Sequence, residues 1–199
     1  MLRYVNIFFK RIMDILGSLL GIILLSPFFI IISIAIKIDS KGPVFFIQER
    51  LGKNGKVFKI LKFRTMVVNA AKLGDGIKLT KNDARITRFG RFLRKFSIDE
   101  TPQIFNVLFG KMSIIGPRPL LIDHPKPIDE YTDKEKVRFM MKPGITGLAQ
   151  VSGRGKISWD EKFNFDHIYV QKFNLFLDFV IFLKTIKVVL FPKNLYKDE

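Results

Sequence analysis

Asp99 and Glu100 stand side by side in Ser97-Ile98-Asp99-Glu100-Thr101-Pro102-Gln103. A vicinal carboxylate pair can hold a divalent cation, carry a proton or attack phosphorus. The spacing of Ser97 and Glu100 matches a capping box, and Asp99 is itself a good N-cap residue. Either assignment puts Asp99 in the first turn of a helix running over residues 104–108, with Pro102 where proline costs little. Unpaired amides and the helix dipole favour anions at such a place. A carboxylate there can also do no more than cap the helix, and the local sequence leaves that alternative open.

Three further features favour chemistry over capping. Gly116-Pro117-Arg118-Pro119 is a rigid turn that fixes one guanidinium, the group best shaped for bidentate phosphate contact. Gly153-Arg154-Gly155 holds a second. Residues 143–150 (PGITGLAQ) form a glycine-punctuated loop whose backbone could approach a ligand closely. Between Gln48 and Met66 one acid, Glu49, meets six bases, Lys62 and Arg64 among them. These bases read either as a solvated face or as contacts to lipid headgroups or substrate phosphates. Acidic pair and fixed arginines together fit phosphoryl transfer.

The elements that would position these groups are legible in outline. Residues 42–48 and 57–63 read as two strands joined through Asn54-Gly55, a hairpin signal. Residues 67–83 read as a short helix and a polar loop. Residues 86–96, with Arg94, read as a basic amphipathic helix. Residues 175–190 form a second very apolar helix, short for a span, that packs on the core or lies in an interface. The expected fold is a mixed α/β domain, mainly helical with a small hairpin or sheet. Residues 1–40 form a membrane segment and residues 41–199 a catalytic domain.

Composition narrows the chemistry. The chain has no cysteine and two histidines in 199 residues, which excludes disulfides and a Cys nucleophile and disfavours a His-rich metal site. A net charge of +16 calls for an anionic partner: nucleic acid, anionic lipid or a phosphorylated substrate. Phenylalanine, 21 copies against one Trp and four Tyr, suits a core or a lipid-facing surface.

Residues 15–36 carry no charge, and these 22 positions exceed the ~20 that cross a bilayer as a helix. Lys37-Ile38-Asp39-Ser40-Lys41 follows where a cleaved signal peptide would have small residues. Lys10 and Arg11 precede the run and Lys37 and Lys41 follow it, so both flanks are basic. Proline breaks or kinks a helix, and the Ser26 hydroxyl can satisfy a backbone group freed by Pro27. On charge and proline alone, a re-entrant helix broken at Ser26-Pro27 and a kinked spanning helix are equally good readings. Asp14, beside Lys10 and Arg11, reads as interfacial and ion-paired.

These motifs together resemble the monotopic phosphoglycosyl transferases, bacterial sugar transferases that start lipid-linked glycan assembly. The resemblance runs from about Lys10 to about Leu190. It rests on Lys10-Arg11-x-x-Asp14, Ser26-Pro27, Gly42-Pro43-Val44-Phe45-Phe46 and Gln48-x-Arg50-x-Gly52. It continues through Lys62-Phe63-Arg64-Thr65-Met66, Ser97-x-Asp99-Glu100-x-Pro102-Gln103, Asn106-Val107-Leu108, Met112-Ser113-x-Ile115-Gly116-Pro117-Arg118-Pro119 and the 143–150 loop. Ile98 and Thr101 stand where Leu is commoner.

The resemblance implies that Asp99 attacks the sugar-bearing phosphate of a UDP-sugar, expels UMP and passes the phosphosugar to polyprenyl (undecaprenyl) phosphate. It implies Mg²⁺ at Asp99 and Glu100, with Glu100 as metal partner or proton acceptor. Arg94, Arg118 and Arg154 join Lys62 and Arg64 as expected phosphate contacts. It also implies a re-entrant helix at Ser26-Pro27 and a monotopic protein with interfacial helices in the bacterial inner membrane. The site would face the cytoplasm, with the phospholipid bilayer and downstream glycosyltransferases as partners and no nucleic acid. The lack of preceding transmembrane helices tilts the expected donor towards an N-acetylated amino sugar. Competing readings are single-step transfer with Asp99 as a metal ligand, a membrane-tethered anion-binding module, and a scaffold in which Asp99 only caps a helix.

Overall fold

A computed structural model of the chain describes residues 2–70, 73, 83–123, 125–153 and 157–191. The fold is mainly helical with two small sheets, as expected. The polar loop expected up to residue 83 lies largely outside the described residues.

Helix α1 (Leu2–Asp39) is by length and composition able to cross a membrane. Leu20, Ile23, Leu24, Phe28, Ile30 and Ile31 are exposed along it. A stripe at three- and four-residue spacing faces the protein instead. Lys10, Asp14, Ser18 and Ile36 are buried, and the Phe29 ring meets Phe63 and Phe105. Gly17 and Gly21 let α1 lie against Ile114 and Ile104; a Cβ at Gly21 would come within 2.3 Å of the Ile104 side chain. Among the described residues Asp14 makes no ion pair: its carboxylate accepts from Ser113 Oγ at 3.0 Å and from the Ile114 amide at 2.9 Å.

The helix continues through Ser26-Pro27 where the sequence suggests a break. Pro27 has no N–H for the Ile23 carbonyl four residues back. Ser26 Oγ donates to that carbonyl at 2.9 Å. The hydroxyl supplies the bond that proline cannot, so the turn stays helical.

Strands β1 (Phe45–Leu51) and β2 (Val57–Phe63) pair antiparallel, from Phe45 opposite Phe63 to Leu51 opposite Val57. Asn54 (φ 57°) and Gly55 (φ 71°) take left-handed backbone in the turn, the conformation these two residues accept most readily. Helix α2 (Arg88–Lys95) starts later than expected, because Ile86 bridges to Met66 and Thr87 Oγ1 caps the Gly90 amide at 3.0 Å. Helix α3 (Gln103–Leu108) leads to strand β3 (Ser113–Ile115), which pairs parallel with β4 (Gly144–Thr146). Between them lies α4 (Asp133–Lys136). The short α5 (Leu148–Ser152), α6 (Trp159–Gln171) and α7 (Leu175–Leu190) complete the described chain.

Ile115, Met141, Tyr169, Val170, Phe173 and Ile181 form one core cluster. Ile36, Phe63 and Leu93 tie α1, β2 and α2 into another. Helix α7 buries Asp178 and Ile181 and exposes Phe176, Phe179, Phe182 and Leu183, so one apolar face packs and the other is open.

The glycines at 143–150 serve close packing. An added Cβ would lie 2.1 Å from Gly116 N at Gly144, and 2.1 Å from Gly116 O at Gly147. Only glycine lets this loop lie on the turn that carries Arg118. Gly147→Ala should destabilise the protein by about 2–3 kcal/mol, measured by thermal unfolding in detergent.

Candidate active site

Asp99 and Glu100 sit in a 3₁₀ turn, Ile98–Glu100, between α2 and α3. Neither expected cap forms. Ser97 is left-handed (φ 58°) and its side chain caps nothing. Helix α3 begins only at Gln103, after Pro102. The Glu100 carboxylate, which would have closed a capping box, is taken by cations. Its Oε1 accepts from Lys62 Nζ at 2.7 Å and Arg118 Nη2 at 2.6 Å, and its Oε2 from Arg118 Nη1 at 3.1 Å. Among the described residues no hydrogen-bond donor reaches the Asp99 carboxylate. One acid of the pair is clamped and the other is free.

The clamping cations arrive from separate elements. Lys62 is on β2, whose outer edge is completed by a side chain of α3. Asn106 Oδ1 accepts from the Leu61 amide at 3.0 Å, and Asn106 Nδ2 donates to the Lys59 carbonyl at 2.8 Å. This amide acts as a short piece of strand and fixes Lys62 against the acidic turn. Arg94, on α2, donates through Nε to Thr65 Oγ1 at 2.8 Å, and its charge helps to stabilise ionised Asp99. A pocket beside the pair is lined by Arg50, Lys62, Glu100, Gln103 and Arg118. Arg50 and Gln103 were not singled out from sequence as site residues. Their motifs, Gln48-x-Arg50 and Pro102-Gln103, were the available signal.

Arg64 is elsewhere. It is buried, and its guanidinium donates to the carbonyls of Ile36, Ser40 and Lys41 and to Ser40 Oγ. It therefore satisfies orphan carbonyls at the end of α1, and does not reach the acidic pair as a phosphate contact would. Arg154 lies outside the described residues.

Burial pushes the Asp99 carboxyl up to about 6, and the neighbouring Glu100 charge adds to the rise; Lys62, Arg94 and Arg118 oppose it. Burial acts the same way on Glu100, but Arg118 and Lys62 outweigh it and hold that acid well below the usual range. Two carboxyls pushed apart in this way take different roles. Glu100 stays ionised and orders the cations, whereas Asp99 keeps a basic, unclaimed oxygen. Among the described residues no group of three acids or histidines is placed to hold a metal. Mg²⁺ bound by one or two carboxylates, water and substrate phosphates needs no such group. Asp99 fits that donor set; Glu100, with three acceptor sites taken by Lys62 and Arg118, has room for one contact more.

A family model described as bacterial sugar transferase matches residues 5–192. The chain belongs to the bacterial sugar transferase family. Relatives of this family member include a UDP-glucose:undecaprenyl-phosphate glucose-1-phosphate transferase of Klebsiella pneumoniae, 45% identical over 94% of the chain and 41% of the relative. An undecaprenyl-phosphate galactose phosphotransferase of Salmonella typhimurium is 42% identical over 92% of the chain and 40% of the relative. An uncharacterized sugar transferase, EpsL, of Bacillus subtilis is 40% identical over 94% of the chain and 89% of its own length. The chain thus spans about two fifths of the first two relatives and most of the third.

Proposed function

We propose that the chain transfers a sugar 1-phosphate from a UDP-sugar to undecaprenyl phosphate. The carrying observation is the asymmetry of the acidic pair: Glu100 held by Lys62 and Arg118, Asp99 free beside them. An Asp99 oxygen attacks the sugar-bearing phosphorus. The bond to the bridging oxygen breaks, and UMP leaves with that oxygen. A phosphate oxygen of the carrier then attacks the same phosphorus, forming a diphosphate and returning Asp99 as carboxylate. Splitting the reaction lets a soluble donor and a greasy acceptor bind in turn. Lys62, Arg94 and Arg118 would neutralise charge on the phosphoryl oxygens, with Arg154 a further candidate. Mg²⁺, held by Asp99 with Glu100 alongside, would add charge neutralisation at the diphosphate.

The names of the relatives favour glucose or galactose as the sugar. The expected N-acetylated amino sugar finds no counterpart among them, so the donor class here is a UDP-sugar, hexoses first. Association with one face of a membrane is supported by the two ends of α1. Lys10 pairs with Asp178 at one end, and Asp39 accepts from the Phe89 amide at 3.0 Å at the other. Both ends are pinned to the same body, which a spanning helix would leave behind. A re-entrant α1 bent at Ser26-Pro27, in the inner membrane with the site facing the cytoplasm, accords with this.

UMP release from a panel of UDP-sugars, with Mg²⁺ and with or without undecaprenyl phosphate, tests the reading. Acceptor-dependent release, with labelled phosphosugar retained on the protein before acceptor is added, is expected. No release from any donor would end it. The pH profile follows from Asp99, which attacks only when ionised. With a carboxyl at about 6, kcat/KM for the donor should fall about tenfold between pH 7.5 and pH 5.

A further inference from the structure

Arg118 reaches Glu100 from a turn held almost entirely from outside. Four successive carbonyls are each taken by another element. Gly144 N donates to Pro117 O at 2.9 Å and Leu51 N to Leu120 O at 2.9 Å. Arg50 Nη1 donates to Pro119 O at 3.2 Å. The Arg118 carbonyl itself accepts from Arg138 Nη2 at 2.6 Å. Arg138 lies in a 3₁₀ turn, Val137–Met140, and pairs with Asp166 of α6 at 3.0 Å. The two side chains are 3% and 2% exposed, and the Phe139 and Phe163 rings flank the guanidinium.

This ion pair is poorly designed for stability alone. Among the described residues Arg138 Nη1 and Asp166 Oδ1 are buried without a hydrogen-bond partner, and apolar residues commonly fill such a site at no loss. What apolar residues could not do is hold the Arg118 carbonyl. We propose that Asp166 and Arg138 are positioning residues for the transfer, fixing the Arg118 turn and, through its guanidinium, the charge of Glu100 beside Asp99. The proposal rests on the reading of Asp99 and Arg118 given above.

A double-mutant cycle tests it. Asp166→Asn should lower kcat for UMP release about 30-fold, because a small misplacement of a catalytic group has effects of this size. Donor KM should change less than about threefold, and in an Arg118→Ala background the same change should cost less than about twofold. Equal losses in both backgrounds would mean a structural role and overturn the proposal. If Asp166→Asn does not fold, Arg138→Gln with Asp166→Asn removes both charges together and enters the same cycle. If the wild type releases no UMP, the functional reading fails by itself, and ¹⁵N relaxation of the Arg118 turn still decides the positioning. The Arg118 backbone amide should gain mobility in the Asp166 variant relative to the wild type; an unchanged Arg118 would refute the link.

Discussion

Asp99→Asn should abolish transfer, lowering UMP release by about 10⁴-fold or more, if the proposed intermediate forms on Asp99 while Glu100 is held by Lys62 and Arg118. No labelled phosphosugar should remain on the variant. The substitution is also informative about stability. The Asp99 carboxyl is raised in the folded protein, to about 6. Its contribution is therefore favourable below the unfolded value and is lost as pH rises through about 6. Above that the folded protein carries an ionised, half-buried carboxylate next to Glu100. The neutral amide removes that burden, so Asp99→Asn should be more stable than wild type at pH 8, by on the order of 2 kcal/mol. The gain should vanish near pH 4. An inactive variant with raised thermal stability is the signature of a strained functional carboxylate. Turnover that survives would remove Asp99 as nucleophile and leave it a metal ligand at most. A variant that simply unfolds would return Asp99 to a structural role.

Lys10→Ala should cause the largest loss of stability. Lys10 Nζ lies 2.6 Å from Asp178 Oδ2, and the two side chains are 9% and 6% exposed. Tyr169 donates its hydroxyl to the other Asp178 oxygen at 2.8 Å. Burial pushes the Asp178 carboxyl up, and Lys10 and Tyr169 oppose that rise. Removing Lys10 leaves a buried carboxylate with one neutral donor, a change that typically costs 3–5 kcal/mol, to be read by thermal unfolding in detergent at pH 8. The loss should shrink as pH falls, because a protonated Asp178 needs no cation. Lys10→Met combined with Asp178→Leu should recover most of it, as neither charge is then stranded. A loss below about 1 kcal/mol at pH 8 would mean that water reaches the pair and that it behaves as a surface bridge. The pair joins α1 to α7, and Arg11 and Asp14 still hold this end of α1 to the body in the single variant.

The hairpin, the basic helix and the apolar α7 were legible because each has a local cause. Asn54-Gly55 accepts a left-handed turn, and hydrophobic period separates strand from helix within a dozen residues. The two carboxylates and Arg118 were legible because their residue types are few and their spacing is fixed by proline and glycine. The same local rules misread Ser97 and Glu100. A capping box needs Glu100 to turn back on its own turn, and Lys62, 38 positions away, and Arg118 offer that carboxylate two full charges instead.

Arg64 shows the opposite error. Beside Lys62 in sequence it reads as the same kind of residue, yet it closes the end of α1. At Ser26-Pro27 the local reading had the right atom, the serine hydroxyl, which keeps the turn helical across the proline.

By itself the sequence determined the chemistry available: an acidic pair, fixed arginines, an apolar helix with basic ends and no thiol. These follow from residue type and short spacing, which no fold can alter. Only the tertiary structure decided which acid is clamped and which is free, which arginines reach them, and that Lys10, Arg138, Asp166 and Asp178 pair in the interior. Those choices depend on contacts between elements far apart in the chain, where burial strengthens each charge and a partner many residues away outweighs any local preference.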